Sequence, residues 1–202
     1  MHRTASAALL IFALVVVAGS VLSASSTDDN GIDFVLIHPP FSESYSCSEH
    51  WDGQLPYLGD SLGADCVIGR MVDDDGRLWM RQYRDAGLEN QDWYGYGAEV
   101  LAPCDCTIQK TQANPVENRP GELGKPPASM IIFRRSDDTL ILYAHVKDSR
   151  VSEGDQVAAG DVVALVGNNG YSRLPHIHIG AWREEVALQI RFDQKRMQPD
   201  SE

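Results

Sequence analysis

The chain of 202 residues carries 29 acidic against 17 basic side chains, a formal net charge of −12 at pH 7. A negative field of this size repels nucleic acid and anionic lipid, so we expect neither as a partner. The length suffices for one sizeable hydrophobic core and makes a second domain unexpected.

Residues 1–24 are typical of a secretory signal peptide. Arg3 is followed by an almost wholly apolar run over 5–22 and then by small residues over 23–26. The run is slightly short for a membrane-spanning helix, which needs about 20 apolar residues. The pattern therefore predicts an exported protein, periplasmic or extracellular, with no membrane association beyond the signal. The mature chain is expected to begin near Ser25 or Thr27.

Four cysteines, an even number in an exported chain, predict two disulfides. Cys104 and Cys106 are close in sequence, so we expect each of them to bond with Cys47 or Cys66. The alternative, a soft-metal site at the Cys-x-Cys pair, lacks a second cluster of cysteine or histidine nearby.

Short alternating or β-branched runs predict a mostly β domain, because no stretch after the signal keeps a 3.6-residue apolar period. The candidate strands cover residues 33–37, 65–72, 78–83, 99–101, 106–110, 129–135, 140–145, 162–166 and 176–182. Asp75-Gly76 is typical of a hairpin turn, and Asn169-Gly170 separates two further strands. The proline-rich stretch 114–128 predicts a long loop, either a binding wall or a disordered excursion.

Two histidines stand one residue apart in SRLPHIHIG, residues 172–180. Because side chains alternate along a strand, His176 and His178 are expected on one face, and Tyr143 is expected to align with His145 in the same way. Each histidine alone is compatible with a hydrogen-bonded sheet residue. Together they favour a metal or catalytic site, and a catalytic zinc ion usually needs three protein ligands.

Five stretches follow one another between residues 61 and 182. They are SLGAD at 61–65, GAEVLAPCDCTI at 97–108, LYAHV at 142–146, RVSEGDQVAAGDVVALVGNNG at 150–170 and PHIHIGAW at 175–182. This ordered set resembles the lysostaphin-type, LytM-like zinc metallopeptidases. The resemblance implies the duplicated hybrid motif fold, a compact antiparallel β-sheet or sandwich with a groove, and the cleavage of peptide cross-links in bacterial cell walls.

The resemblance also implies a domain plan. The peptidase-like β domain is expected at 61–190, after an N-terminal extension at 25–60 and before a C-terminal tail at 191–202. An insertion at 67–98, longer than in minimal members of the family, is expected to form a hairpin.

The resemblance assigns site residues by position. The family takes two zinc ligands from a His-x-x-x-Asp motif and a third from the last histidine of His-x-His. Asp65 and His178 match ligands, while His145 and His176 match the pair that orients the attacking water and stabilises the oxyanion. Ser61 holds the place of the first ligand, and a neutral serine is a poor ligand for zinc.

A third ligand has three possible sources. Asp60 is adjacent, but its side chain reaches the site only if the backbone is irregular there. His50 or His38 can fold in from the N-terminal extension. Asp92 can come from the insertion. A site left with two protein ligands would hold a metal weakly.

These residues are compatible with two functions. The retained Asp65, His145, His176 and His178 favour a zinc endopeptidase that acts on peptidoglycan peptides. Ser61 favours a degenerate, non-catalytic member that binds wall material or regulates another hydrolase. A third reading, a biotinyl or lipoyl carrier domain, lacks the lysine that such domains expose at a hairpin tip.

Aromatic residues in the insertion also have two interpretations. Trp93, Tyr94 and Tyr96 either fill an enlarged core and hairpin, or line a groove where they stack on a glycan or peptide.

Overall fold

The computed structural model describes residues 31–197 as a mostly β domain. Its strands are β1 Phe34–Ile37, β2 Tyr45–Glu49, β3 Ala64–Ile68, β4 Arg70–Asp74, β5 Arg77–Arg81, β6 Glu99–Leu101, β7 Cys106–Gln112, β8 Met130–Arg134, β9 Leu140–Ala144, β10 Val146–Lys147, β11 Gln156–Val157, β12 Val162–Val166, β13 Ile177–Arg183, β14 Val186–Ala187 and β15 Gln189–Phe192. Short 3-10 helices cover Asn90–Asp92 and Gln194–Met197. Among these residues, none of the helices has the length and apolar character to cross a membrane. The predicted signal peptide lies outside the described residues, as does the start of the mature chain.

The largest sheet carries the candidate site. Its order is β11-β7-β8-β9-β13-β3-β2, with β14 on the side of β13, and every pairing in it is antiparallel. In the centre of the sheet His178 lies opposite Ala144 on one side and opposite Asp65 on the other. This register brings Asp65 and His178 together across 113 residues of sequence. The expected antiparallel β fold is confirmed.

Smaller sheets flank the large one. β10, β12 and β6 form a three-stranded sheet, β1 pairs in parallel with β15, and β4 pairs with β5. Asp75 and Gly76 connect β4 to β5 with φ values of 51° and 79°, as a two-residue hairpin turn requires. The predicted hairpin is therefore present in the insertion, and the predicted strand 65–72 divides at Gly69 into β3 and β4.

Successive side chains of β13 point alternately to the hydrophobic core and to the candidate site. Ile177 and Ile179 are fully buried on the core face, while His178 points to the opposite face beside Asp65. Burying an isoleucine side chain stabilises the fold by about 1.5–3 kcal/mol. The same core contains Ile108, Ile131, Phe133, Ile141 and Val163. The apolar pattern thus fixes which face of the strand the histidine takes.

The proline-rich loop 114–128 is hydrogen-bonded to the segment that follows β12. The Asn118 side-chain amide donates to the carbonyl oxygens of Gly170 and Ser172, each at 3.0 Å. Glu117 forms an isolated bridge with Asn169. These contacts favour the binding-wall interpretation of the loop over the disordered excursion.

The disulfide pairing differs from the expectation. Cys47 bonds to Cys66, and Cys104 bonds to Cys106. Cys47 and Cys66 lie directly opposite one another in the β2–β3 pair. A bend before β7 places the Cα atoms of Cys104 and Cys106 5.4 Å apart, within the range that a disulfide spans. The expectation was wrong because a turn, and not an extended chain, joins the two neighbouring cysteines.

Gly180 marks the point where residues 51–60 cross β13. A Cβ atom at this position would overlap the carbonyl oxygen of Gly59. We therefore expect Gly180→Ala to lower the free energy of unfolding by roughly 1–3 kcal/mol, because the backbone of Gly59 has to move. Urea unfolding of the two proteins measures the difference. A loss below about 0.5 kcal/mol would contradict this close packing.

Candidate metal and catalytic centre

Four histidines converge on Asp65, a residue of β3. His178 belongs to β13, His176 immediately precedes β13, His50 immediately follows β2 and His145 immediately follows β9. The distances to the Asp65 carboxylate are 2.8 Å from His178 Nδ1, 3.3 Å from His50 Nε2 and 3.6 Å from His176 Nε2. The His-x-His pair therefore meets the same carboxylate, as strand alternation predicted.

His145 joins the group through an unusual backbone conformation. Its ring centroid lies 4.6 Å from that of His176 and 6.4 Å from that of His178. β9 ends at Ala144, and the φ of 65° at His145 breaks the alternation of the strand. Tyr143 stays in the core, fully buried against Phe133, so the expected alignment of Tyr143 with His145 was wrong.

Each of the four imidazoles is oriented by one backbone carbonyl. The pairs are His50 Nδ1 with Asp60 O at 3.0 Å, His145 Nδ1 with Asn169 O at 2.7 Å, His176 Nδ1 with Leu174 O at 2.8 Å and His178 Nε2 with Gly59 O at 2.9 Å. A neutral imidazole that donates one N–H keeps a lone pair on its other nitrogen. The other ring nitrogens of His50, His176 and His178 are the ones that face Asp65.

Three of these residues form a group that could hold a metal ion. His50, Asp65 and His178 offer ligand atoms that all lie within 4.8 Å of one another. Imidazole nitrogen and carboxylate oxygen are ligands that Zn²⁺ takes, and three protein ligands are usual at catalytic zinc sites. Histidines that bind a metal usually donate their other N–H to a carbonyl or carboxylate, as His50 and His178 do here. The donor set suits Zn²⁺.

Ser61 is engaged elsewhere. Its hydroxyl donates to Asp52 Oδ1 at 3.1 Å and lies 3.4 Å from the backbone nitrogen of Gly53. His50 instead approaches Asp65 from the neighbouring strand, held by a bond from its own N–H to the carbonyl of Gly63. The structure therefore offers an imidazole near Asp65 although serine holds the expected ligand position.

The other proposed sources of a third ligand lie outside this group. Asp60 Oδ1 is 3.2 Å from His178 Nε2, the nitrogen on the far side of the ring from Asp65. His38 bonds to Pro39 O. Asp92 accepts a hydrogen bond from Glu89 N at the start of the short helix Asn90–Asp92. Asp60 can orient His178, and His50 is the better candidate for the third ligand.

Burial and hydrogen bonding together shift the pKa values of the residues in this centre. Burial raises the pKa of Asp65, but hydrogen bonds from His176 and His178 outweigh it and hold the pKa well below its ordinary value. Burial lowers the pKa of His178, yet its bonds to Asp60 and Asp65 raise it to about 10. Burial and the nearby His176 lower the pKa of His145 to about 3. His145 is therefore neutral at physiological pH.

We expect the metal-free protein to lose stability as the pH rises from about 6.5 to 10. The folded state raises the pKa of His178 from 6.5 to about 10, so protonated His178 contributes fully below 6.5 and its contribution is lost through 10. Urea unfolding of the metal-free protein across this window, beside His178→Gln, measures the effect. The free energy of unfolding should fall more steeply with pH in the parent. Parallel pH profiles would contradict the assignment.

The three aromatic residues of the insertion differ in their surroundings. Trp93 is only 8% exposed, and its Nε1 donates to Gly87 O at 3.0 Å. The side chain of Arg70 stacks on the ring of Tyr94 at 4.8 Å. These contacts favour packing roles for Trp93 and Tyr94. Tyr96 accepts a hydrogen bond from Lys147 Nζ at 2.9 Å, and Lys147 follows His145 by two residues.

Part of the chain that includes three histidines of this centre is similar to known peptidases. The profile of peptidase family M23 matches residues 92–190, a stretch that includes His145, His176 and His178. Over this stretch, just under half of its length, the chain resembles peptidase family M23. An uncharacterized metalloprotease of Haemophilus influenzae is 33% identical over 82 residues, which are 41% of this chain and 15% of that protein. The matched stretch is therefore only a small part of the length of that metalloprotease.

Solved structures of similar shape include peptidase domains. The catalytic domain of lysostaphin from Staphylococcus simulans has a TM-score of 0.43 at 20% identity, covering 68% of this chain and 79% of that one. A point mutant of the catalytic domain of EnpA, a prophage-encoded M23 protein from Enterococcus faecalis, has a TM-score of 0.46 at 18% identity. The match covers 72% of this chain and 86% of the EnpA chain.

Proposed function

We propose that this protein is an exported zinc endopeptidase that cuts the cross-link peptides of peptidoglycan, in the periplasm or outside the cell. The main support for the proposal is the convergence of His50, Asp65 and His178, whose possible ligand atoms lie close together, beside His145 and His176. The match of residues 92–190 to peptidase family M23 supports a peptidase-like function for such a centre.

The metal would be held by His50 Nε2, the Asp65 carboxylate and His178 Nδ1. Zn²⁺ bound there supplies Lewis-acid polarisation of the scissile carbonyl and makes water more acidic. The carbonyls of Asp60 and Gly59 hold the two imidazoles in the tautomers that ligation needs. Asp65, ionised because its pKa is held low, brings the negative charge that favours a cation.

His145 and His176 would form the hydrogen bonds to the attacking water and to the oxyanion. Leu174 O and Asn169 O accept the Nδ1–H of His176 and of His145, which leaves both Nε2 atoms free. Neutral His145 can accept a hydrogen bond from the attacking water and so orient it. In its protonated form His176 can donate to the oxyanion that develops on the scissile carbonyl.

The substrate is expected to lie between this centre and the loop 114–128. Lys147 Nζ bonds to Glu117 Oε1 at 2.7 Å and to the hydroxyl of Tyr96 at 2.9 Å, joining the loop to β10 just after His145. This arrangement supports Tyr96 as part of the groove wall. The wall would then contact the residues on one side of the scissile peptide bond.

The non-catalytic alternative depended on Ser61. A missing first ligand was the reason to expect a protein that binds wall material or regulates another hydrolase. Because His50 offers a replacement donor beside Asp65, serine at position 61 no longer argues against catalysis.

The experiment combines metal content with hydrolysis. The mature chain, purified without chelator, should contain about one Zn²⁺ and should release fragments from cross-linked muropeptides, as mass spectrometry detects. A chelator should stop the release, and added Zn²⁺ should restore it. Unstructured casein is the comparison that separates a wall-peptide enzyme from a general peptidase. Failure to bind Zn²⁺ even when it is supplied would sink the proposal.

A further inference from the structure

We infer that the Cys47–Cys66 disulfide is a positioning element of the metal centre, because it fixes the loop that carries His50 and Asp65. This inference rests on the proposed function, since it concerns the same metal ligands. The two cysteines are 19 positions apart, and residues 48–65 form the loop that their bond closes.

Two of the three candidate ligands, His50 and Asp65, lie inside this closed loop. The loop also contains Gly59 and Asp60, whose carbonyls orient the imidazoles of His178 and His50. One covalent bond therefore restrains two ligands and the two groups that set the ligand orientations.

Packing holds residues 51–58 of this loop only weakly. Trp51 is 68% exposed and Tyr57 is 73% exposed, and most side chains between them are exposed as well. Burial begins only at Ser61, which bonds to Asp52 across the loop. With little apolar surface buried, such a segment has few contacts that oppose local opening.

The strand that leads to His50 is also weakly held. β2 lies at one edge of the large sheet, and among residues 31–197 it pairs only with β3. Tyr45 anchors the start of β2 against Phe41 and Phe192, with ring centroids 5.4 and 5.6 Å apart, but Ser48 and Glu49 at its other end are exposed. The disulfide lies between the anchored start and His50, at the pair that immediately adjoins Asp65.

The chain offers a matched control in its second disulfide. Cys104 lies two positions before Cys106, the first residue of β7, so their bond encloses Asp105 alone and none of the candidate ligands. Replacing this pair tests the loss of a disulfide in the same domain without releasing the ligand loop.

The experiment compares Cys47→Ala/Cys66→Ala with Cys104→Ala/Cys106→Ala. Zn²⁺ affinity is measured by competition with a chromophoric chelator, and amide hydrogen exchange is followed at His50 and at Ile131 in the core. We expect the first pair to weaken Zn²⁺ binding by about 10–100-fold, the range seen when groups that orient ligands are removed. It should also speed exchange at His50 more than at Ile131. The control pair should change Zn²⁺ affinity by less than about threefold.

The results distinguish failure of the positioning role from failure of the proposed function. Zn²⁺ affinity within about twofold of the parent in Cys47→Ala/Cys66→Ala would overturn the positioning role while leaving the proposed function intact. If the parent binds no Zn²⁺, the proposed function fails, and exchange at His50 still tests the restraint of the loop. If the variant does not fold, Cys104→Ala/Cys106→Ala is compared in its oxidised form and in a reduced form with blocked thiols. Equal affinities of these two forms would likewise overturn the positioning role.

Discussion

Replacing His50 with alanine is expected to weaken Zn²⁺ binding by more than ~100-fold, because removal of a mere orienting group already costs about 10–100-fold. The hydrolysis of cross-linked muropeptides should fall with the bound metal. His50 faces Asp65 Oδ2 at 3.3 Å and has no counterpart among the motifs that define the resemblance. Isothermal titration with Zn²⁺ measures the loss directly.

Two controls separate this effect from a general loss of fold. His38→Ala removes another histidine of the N-terminal segment, one that bonds to Pro39 O outside the centre, and should leave Zn²⁺ affinity unchanged. Ser61→Ala alters the position that carries a ligand in the family and should change the affinity by only about threefold or less, since serine is a poor ligand. If Ser61→Ala weakens Zn²⁺ binding as much as His50→Ala, the assignment of the third ligand is wrong.

Replacing His145 or His176 with alanine is expected to separate metal binding from catalysis. Each variant should keep Zn²⁺ affinity within a few-fold of the parent, because His50, Asp65 and His178 remain. The kcat should fall by about 10²–10⁴, the usual contribution of a group that transfers a proton in the transition state. His176 lies farther from Asp65 than His178 does, at 3.6 against 2.8 Å, in keeping with a role beside the metal.

Zn²⁺ affinity and kcat measured on the same preparations distinguish the roles. A parallel loss of both in His176→Ala would make His176 a ligand and not a proton carrier. Unchanged hydrolysis in both variants would remove the two histidines from the mechanism.

The central strands and the histidine pair followed from local sequence pattern. β13 alternates isoleucine with histidine, so burial of Ile177 and Ile179 dictates the face that His178 takes. The local pattern could not predict which strands pair with β13, because the pairing of β13 with β3 depends on the whole sheet. Asp65 was placed by the resemblance, and the register opposite His178 is in keeping with it.

Other features of the fold and the site could not be predicted from the local sequence pattern. β2, with the sequence YSCSE, lacks apolar alternation, so the strand that leads to His50 was not predicted. The left-handed conformation of His145 depends on its surroundings and not on its residue type. Backbone carbonyls carry no sequence information, so Gly59 and Leu174 were not candidates. The disulfide pairing failed for a related reason, because a turn brings the two nearest cysteines together.

A crystal structure of the zinc-loaded protein, with anomalous diffraction measured at the zinc edge, tests the ligand assignment most directly. We expect one anomalous peak within bonding distance of His50 Nε2, the Asp65 carboxylate and His178 Nδ1, with His145 and His176 beside it. A peak that His50 does not contact, or a zinc ion bound only at another place on the protein, would contradict this assignment.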